Sequence, residues 1–260
     1  MRKTAEYSEM YTVKKECESV NYTKLGNSDL MVSRICMGCM GFGDANNGQH
    51  SWTLDEERSR EIISRGIELG VNFFDTAVAY QSGTSERYVG RALRDFAKRD
   101  EVVIATKFLP RTDADIEAGI SGQQHIERMV NKSLENLGVD YIDLYIYHMW
   151  DYRTPLYDVL EGLNNAVKKG KVRYIGISNC FAWQLAKANA LAEREGFAKF
   201  ISVQGHYSAV SRRRAGNGGT LRRRQYRHDA VQSSGRRQTF QASRGDFQKT
   251  ERRRLCEAQI

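Results

Sequence analysis

The sequence predicts an α/β protein, an incomplete (β/α)8 TIM barrel with about six β/α units, on three observations. First, short apolar runs and amphipathic helical stretches alternate with brief connections through residues 22–207, the pattern of parallel β/α units. Second, the runs are continuously apolar, as in strands covered by helices on one face and by a filled interior on the other. Third, several runs end in polar residues: Asp75 and Tyr80 after Val71-Asn-Phe-Phe, Lys107 after Val102-Val-Ile-Ala-Thr, and His148 after Ile142-Asp-Leu-Tyr-Ile-Tyr. In such a barrel the C-terminal strand ends converge on one mouth, so groups far apart in sequence meet there.

Taken in order, Tyr22 to Val32 reads as a short hairpin turning near Gly26-Asn27, and Ser33 to Gly38 as the first barrel strand. Leu54 to Leu69 places Ile62, Ile63 and Ile67 on one helical face, with Gly70 as the C-terminal cap. Val71 to Ala77 is the second strand, Ser85 to Phe96 the second helix, and Val102 to Phe108 the third strand. Ile126, Met129, Val130, Leu134 and Leu137 are spaced three and four apart, the stripe of a third helix that ends at Gly138. Tyr141 to Tyr147 is the fourth strand. Thr154-Pro155 offers a cap and a proline at the first helical position of a fourth helix, closed by Gly170. Val172 to Ser178, Trp183 to Arg194 and Phe200 to Gln204 supply the fifth strand, fifth helix and sixth strand.

The chain has 260 residues, close to the roughly 250 of a typical barrel. Its net charge of +8 is uneven. From Ser211 to Ile260 there are 13 Arg and one Lys against Asp229, Asp246, Glu251 and Glu257, a net +10 that leaves −2 for residues 1–210. No stretch reaches the roughly 18 apolar residues of a membrane span, and residues 1–21 form a polar extension with no apolar core of a leader, so a soluble cytoplasmic chain is expected. The five cysteines, Cys17, Cys36, Cys39, Cys180 and Cys256, are odd in number and scattered, which suits reduced thiols. Cys36-Met-Gly-Cys39 has no second pair or His cluster to complete a metal site and reads as strand-end residues.

Asp75-Thr-Ala-Val-Ala-Tyr80, with Ser85-Glu86 and Gly90 downstream, Lys107 and His148, resembles the aldo-keto reductase family. The resemblance runs from about Tyr22 to Tyr207. It implies NADP(H)-dependent reduction of an aldehyde or ketone to an alcohol, with Asp75, Tyr80, Lys107 and His148 as the catalytic tetrad. Tyr80 would be the general acid; a free phenol has a pKa near ~10, and an ammonium at Lys107, held by Asp75, would ease its loss of a proton. His148 would orient the substrate carbonyl. By the same resemblance Ser178, Asn179 and Gln204 clamp the nicotinamide carboxamide, Met40, Gly41 and Asp75 lie along the cofactor, and a hairpin closes the barrel base. Taken singly, each has an ordinary role: a helix-capping Asp, a snorkelling Lys, a packing Tyr, a structural His, and Ser and Asn in turn chemistry. Phe42, Trp52, Met149 and Trp150 could line an apolar substrate pocket. The partner implied is a small-molecule carbonyl compound, with no specific nucleic acid and no membrane.

After Tyr207 the periodicity ends, and residues 208–260 read as a basic, low-complexity tail without the last barrel units. One allowed codon spelling of Ser211 to Gly219, read in a neighbouring frame, gives Phe-Arg-Glu-Glu-Glu-Arg-Glu-Met-Ala. The same shift from Arg227 gives Ile-Ala-Met-Thr-Pro-Tyr-Ser, similar to the family's seventh strand. A frame error after about Tyr207 is the expectation, which makes a catalytically inactive product the alternative function. An Arg-rich tail that binds nucleic acid through counterion release is the further alternative.

Overall fold

The computed structural model describes residues 20–206 and the backbone of residues 227–231. Two short antiparallel strands, β1 (Tyr22–Lys24) and β2 (Met31–Ser33), form the expected hairpin. A parallel sheet follows in strict chain order: β3 (Met37–Gly38), β4 (Phe73–Asp75), β5 (Val103–Phe108), β6 (Ile142–Tyr147), β7 (Val172–Ser178), β8 (Phe200–His206) and β9 (Arg227–Val231). Helices α1 (Glu56–Glu68), α2 (Thr84–Phe96), α3 (Asp113–Glu117), α4 (Gly122–Leu137), α5 (Leu156–Lys168) and α6 (Ala182–Glu195) occupy the connections. The sheet curls as a partial barrel, matching the fold class expected. Among the described residues no helix is long and apolar enough to cross a membrane.

Four details differ from the sequence expectations. The first barrel strand is only Met37–Gly38, because Ser33 belongs to the hairpin: its N–H donates to Asn72 Oδ1 at 2.7 Å and its hydroxyl to the Ile35 carbonyl at 2.6 Å, which bends the chain. Helix α5 starts one residue late, with Pro155 at the cap (φ −52°, ψ 131°) and the Thr154 hydroxyl drawn to Asp151 instead of the helix. Helix α3 was not anticipated; its five residues carry no apolar stripe, and a Thr112/Asp115 capping box holds it. Finally, β9 adds a seventh parallel strand, pairing Ser202↔Arg227 through His206↔Val231. That segment, Arg-His-Asp-Ala-Val, lacks apolar alternation, and its pairing is made by the backbone. It is also where the shifted reading places a seventh strand. The rest of the expected tail, and the extension to residue 19, lie outside the described residues.

Burial is two-layered. Leu144, Ile146, Phe73, Val103 and Ala105 fill the interior of the curl, and Leu25, Leu30 and Val32 of the hairpin plug it from the N-terminal ends of the strands. Gly26, in a left-handed turn at φ +58°, seats the hairpin so closely that a Cβ there would lie 2.7 Å from the Ile201 carbonyl oxygen. The hairpin is also held by charge: Asp29 accepts from Arg173 (3.1 Å) and Tyr174 (2.9 Å), while buried Asp143 accepts from Arg173 (3.0 Å), Arg99 (2.7 Å) and the Ile104 N–H (3.0 Å). The larger cluster, including Phe74, Ile104, Val130, Tyr145, Leu163 and Leu185, lies between sheet and helices. Side-chain amides finish the strand starts. Asn189 of α6 donates to the Phe200 carbonyl and accepts its N–H, at 3.0 and 2.9 Å, as a neighbouring strand would.

Gly90, a buried residue of α2, lies against the end of α4, where an added Cβ would stand 2.0 Å from the Leu137 carbonyl oxygen. Glu86, one turn earlier and fully buried, accepts from Thr106 (2.6 Å) and Asn136 (2.7 Å), which ties α2 to β5 and α4. Burial pushes its carboxyl above the usual range, against the pull of those donors. Because the obstacle at Gly90 is backbone, Gly90→Ala is expected to destabilise the fold by about 1–3 kcal/mol, the usual cost of overpacking. Urea melts of parent and variant measure it; equal midpoints would show that α2 and α4 are free to part.

Candidate active site

The alternation of a strand carries the interior face to the mouth. Phe73 and Ala105 belong to the interior cluster, so Asp75 and Lys107, two residues further along β4 and β5, point into the same lumen. Both are buried, Lys107 to 1% exposure. Lys107 Nζ donates to Asp75 Oδ2 at 2.7 Å, to the Thr76 carbonyl at 2.7 Å and to the Tyr80 hydroxyl at 3.2 Å, which uses all three of its protons. His148, directly after β6, is half-buried, and its ring meets that of Tyr80 edge-on with centroids 6.0 Å apart. The four tetrad candidates are thus brought together.

Electrostatics sets their protonation. Burial alone would strip Lys107 of its proton, but the Asp75 carboxylate and Tyr80 hold it above the ordinary lysine value. Burial raises Tyr80; Lys107 pulls it down and Asp75 pushes it up again, so the net is above an ordinary phenol. The lowering expected from Lys107 is therefore present and outweighed. Burial, assisted by the Lys107 charge, lowers His148 to about 4, so its imidazole is neutral at pH 7.

The chain leaves β4 by an uncommon route. Gln81 (φ 46°, ψ 49°) and Ser82 (φ 52°, ψ 36°) are both left-handed, followed by Gly83 at φ 84°. Each non-glycine residue there costs about 1–3 kcal/mol, which the surroundings must offset. α2 then starts with Thr84, and Ser85 shares hydrogen bonds with Thr76 (2.9 Å) and the Cys39 carbonyl (2.7 Å), fixing the start of α2 to the ends of β4 and β3.

The cofactor-side candidates also gather at strand ends. Ser178 and Gln204 are buried partners in register across β7 and β8. Asn179, left-handed at φ 49°, donates its amide to the His148 carbonyl at 3.0 Å and its N–H to the Gln204 carbonyl at 3.2 Å, so it braces three strand ends. Met40 and Gly41 follow β3, with the Trp52 ring against Gly41. Asp75 Oδ1 and His148 Nδ1 are buried without a hydrogen-bond partner among the described residues. Orphaned polar atoms at the strand ends fit a polar group brought from outside the chain.

Two pocket expectations need correction or refinement. Phe42 is 5% exposed and belongs to the core cluster, where it packs inward instead of lining a pocket. Trp52 and Met149 are exposed, and Trp150 pairs with Trp183 at 6.3 Å, with Phe181 and Tyr152 exposed nearby in the chain. The sequence pattern marks Trp183 only as a helix residue. Cys39 is fully buried with Sγ on the Met37 carbonyl (3.4 Å), while Cys36 is exposed.

A parallel β/α sheet with a buried Asp–Lys pair, a half-buried Tyr on it and a neighbouring neutral His at its C-terminal mouth defines the class of barrel whose strand ends hold reactive polar groups. Residues 34–239 match the model of the aldo/keto reductase family, a span that takes in β9 and extends past Tyr207. The chain belongs to the aldo/keto reductase family. It is 35% identical over 211 residues to a versiconal hemiacetal acetate reductase of Aspergillus parasiticus, covering 74% of this chain and 61% of the relative. It is 35% identical over 191 residues to an aryl-alcohol dehydrogenase of Pestalotiopsis microspora, covering 72% and 50%. The chain thus spans about half to three-fifths of these relatives' length. Among solved structures, an aldo-keto reductase from Bacillus halodurans in its holo form superposes with TM-score 0.64 at 29% identity, covering 81% of this chain and 65% of that one. A thermostable aldo-keto reductase, Tm1743, crystallised with epalrestat, shares the fold at TM-score 0.71 and 24% identity, covering 92% and 81%.

Two measurements probe the site without turnover. Lys107→Met leaves the Asp75 carboxylate buried without its countercharge, and the expected loss is about 3–5 kcal/mol in a denaturant melt; an unchanged midpoint would show that the pair is not buried as described. His148 binds its proton less readily folded (about 4) than unfolded (6.5). Its contribution to stability is therefore complete above pH 6.5 and is lost as pH falls toward 4. In His148→Gln the difference in melting temperature from the parent should vary across that window and be constant above pH 7. A flat difference throughout would place His148 in water.

Proposed function

We propose that this chain carries the site for NADP(H)-dependent reduction of an aldehyde or ketone to an alcohol, in a cytoplasmic setting, with Tyr80 as general acid. The observation that carries the proposal is the contact of Lys107 with both Asp75 and Tyr80 inside the strand-end mouth. When bound, the nicotinamide cofactor supplies a hydride to the carbonyl carbon. Tyr80, a phenol and so protonated at neutral pH, gives its proton to the carbonyl oxygen, and the carbonyl becomes an alcohol. Lys107 offsets the phenolate charge as the proton leaves, and Asp75 keeps Lys107 charged. Neutral His148 can hydrogen-bond the same oxygen without competing as an acid. Ser178, Asn179 and Gln204 would hold the carboxamide, and Met40, Gly41 and Asp75 the nicotinamide ribose side.

The exposed aromatic residues Trp52, Trp183 and Tyr152, with half-buried Trp150, on loops and helix starts beyond the strand ends support an aromatic carbonyl substrate, in line with the aryl-alcohol dehydrogenase among the relatives. The proposed domain plan is an extension to residue 21, the barrel units of residues 22–207 and a basic segment at 208–260 produced by a frame change; resequencing the coding DNA around codon 208 tests it.

Tyr80→Phe removes the proton donor and keeps the ring. Reduction of an aromatic aldehyde should fall by about 10² to 10⁴-fold, the usual contribution of general acid catalysis, while NADPH binding followed by protein fluorescence persists. Near-normal turnover in that variant would remove Tyr80 from the role of acid.

A further inference from the structure

Gln81 is 1% exposed, and its side chain is enclosed by the loop that follows β3, the strand beside β4. Its Nε2 donates to the carbonyls of Asp44 and His50, both at 2.8 Å, with the Thr53 hydroxyl at 3.3 Å; its Oε1 accepts the His50 N–H at 2.9 Å. One amide therefore satisfies backbone groups at two places in residues 44–53. The loop fits so closely that Gly43 at its entry and Gly48 within it have no space for a side chain. A Cβ at Gly43 (φ +138°) would stand 2.7 Å from Gln81 Cβ, and one at Gly48 (φ +148°) 2.6 Å from Gln81 Cα. Thr84 completes the enclosure: its hydroxyl donates to the Gln81 carbonyl (2.8 Å) and accepts the Asp44 N–H (3.0 Å). The same loop carries His50 stacked on Trp52 (centroids 4.8 Å), and Trp52 reaches Gly41.

Without this enclosure two consecutive left-handed non-glycine residues would relax toward the ordinary regions of backbone space, because L side chains disfavour that conformation. Relaxation at Gln81 turns the peptide plane that joins it to Tyr80 and so re-aims the Tyr80 ring. The contact most exposed to such a change is Lys107 Nζ to the Tyr80 hydroxyl, already the longest of the three at 3.2 Å.

We propose that Gln81 is a positioning residue for Tyr80: by clamping the 44–53 loop it holds the left-handed turn that directs the Tyr80 hydroxyl onto Lys107, and it couples the order of the Trp52 side of the mouth to that of the acid. The catalytic consequence rests on the general-acid reading of Tyr80; the geometric one does not.

The test labels the full chain with 3-fluorotyrosine and assigns the Tyr80, Tyr145 and Tyr147 signals by their loss in the corresponding Phe variants. Gln81→Leu keeps bulk and removes the amide; Ser82→Gly relieves backbone strain at the exposed neighbour and leaves the clamp intact. Gln81→Leu should shift or split the Tyr80 signal with Tyr145 and Tyr147 unmoved, and Ser82→Gly should leave Tyr80 in place. With an aromatic aldehyde, Gln81→Leu should lower kcat by about 10²-fold, the scale of an ångström misplacement, with KM nearly unchanged. An unmoved Tyr80 signal overturns the proposal. So does movement of Tyr145 together with Tyr80, which would make Gln81 a general stabiliser, and so does an equal effect of Ser82→Gly. The fluorine signals need no turnover, so a chain that reduces no carbonyl, or a Tyr80→Phe variant that still does, defeats the general-acid reading and leaves the positioning result standing.

Discussion

The buried ion pair between Lys107 and Asp75 is the constraint around which the mouth is organised. Isolated, either charge would be expelled from so dry a place or would neutralise. Together they persist because Lys107 spends all three protons on fixed acceptors: a carboxylate, a main-chain carbonyl and a phenol. That arrangement demands that β4 and β5 be in a single register, Asp75 opposite Ala105, since a slip of either strand by one residue would send its charge into the apolar layer beneath the helices. Register, burial and protonation are thus one problem with one solution.

The scaffold protects that register at several levels. The helices cover the outer sheet face and the hairpin fills the inner one from below, so neither face of β4, β5 or β6 is open to water. Glu86 then links α2 to β5 on the residue next to Lys107, and Asn179 links the ends of β6, β7 and β8. A parallel sheet offers no tight turn to fix its pairing, and these polar cross-links do that work between strands that are remote in sequence.

Much of this was legible in the sequence because the strands and helices announce themselves by period and the polar strand ends by position. Lys107 and Asp75 could be paired from sequence only through family resemblance, yet their placement follows from alternation along β4 and β5 alone. What escaped had no periodic signal. The strand Arg227–Val231 is made by backbone pairing with charged side chains, α3 is too short for a stripe, and the first strand is cut short by Ser33 binding a residue on the far side of α1. Phe42 was misplaced because a loop aromatic and a core aromatic look the same in a sequence. Gln81 was invisible for a related reason: its partners at positions 44, 50 and 53 are brought to it by the fold, and the one hint was the spacing of Gly41, Gly43 and Gly48.

The strand starts are secured differently from the strand ends. Asn189 presents its amide to Phe200 as if it were another strand, Asn72 does the same for the hairpin through Ser33 and Met31, and Asn164 catches the N–H of Ala198. Such links read main chain only, so they are indifferent to which apolar side chains lie above them. The molecule is consequently anchored at one end by contacts that tolerate a change of apolar side chain. Exposed aromatic residues around the mouth, such as Trp52 and Trp183, can therefore change without disturbing the alignment of the strands that carry Asp75 and Lys107.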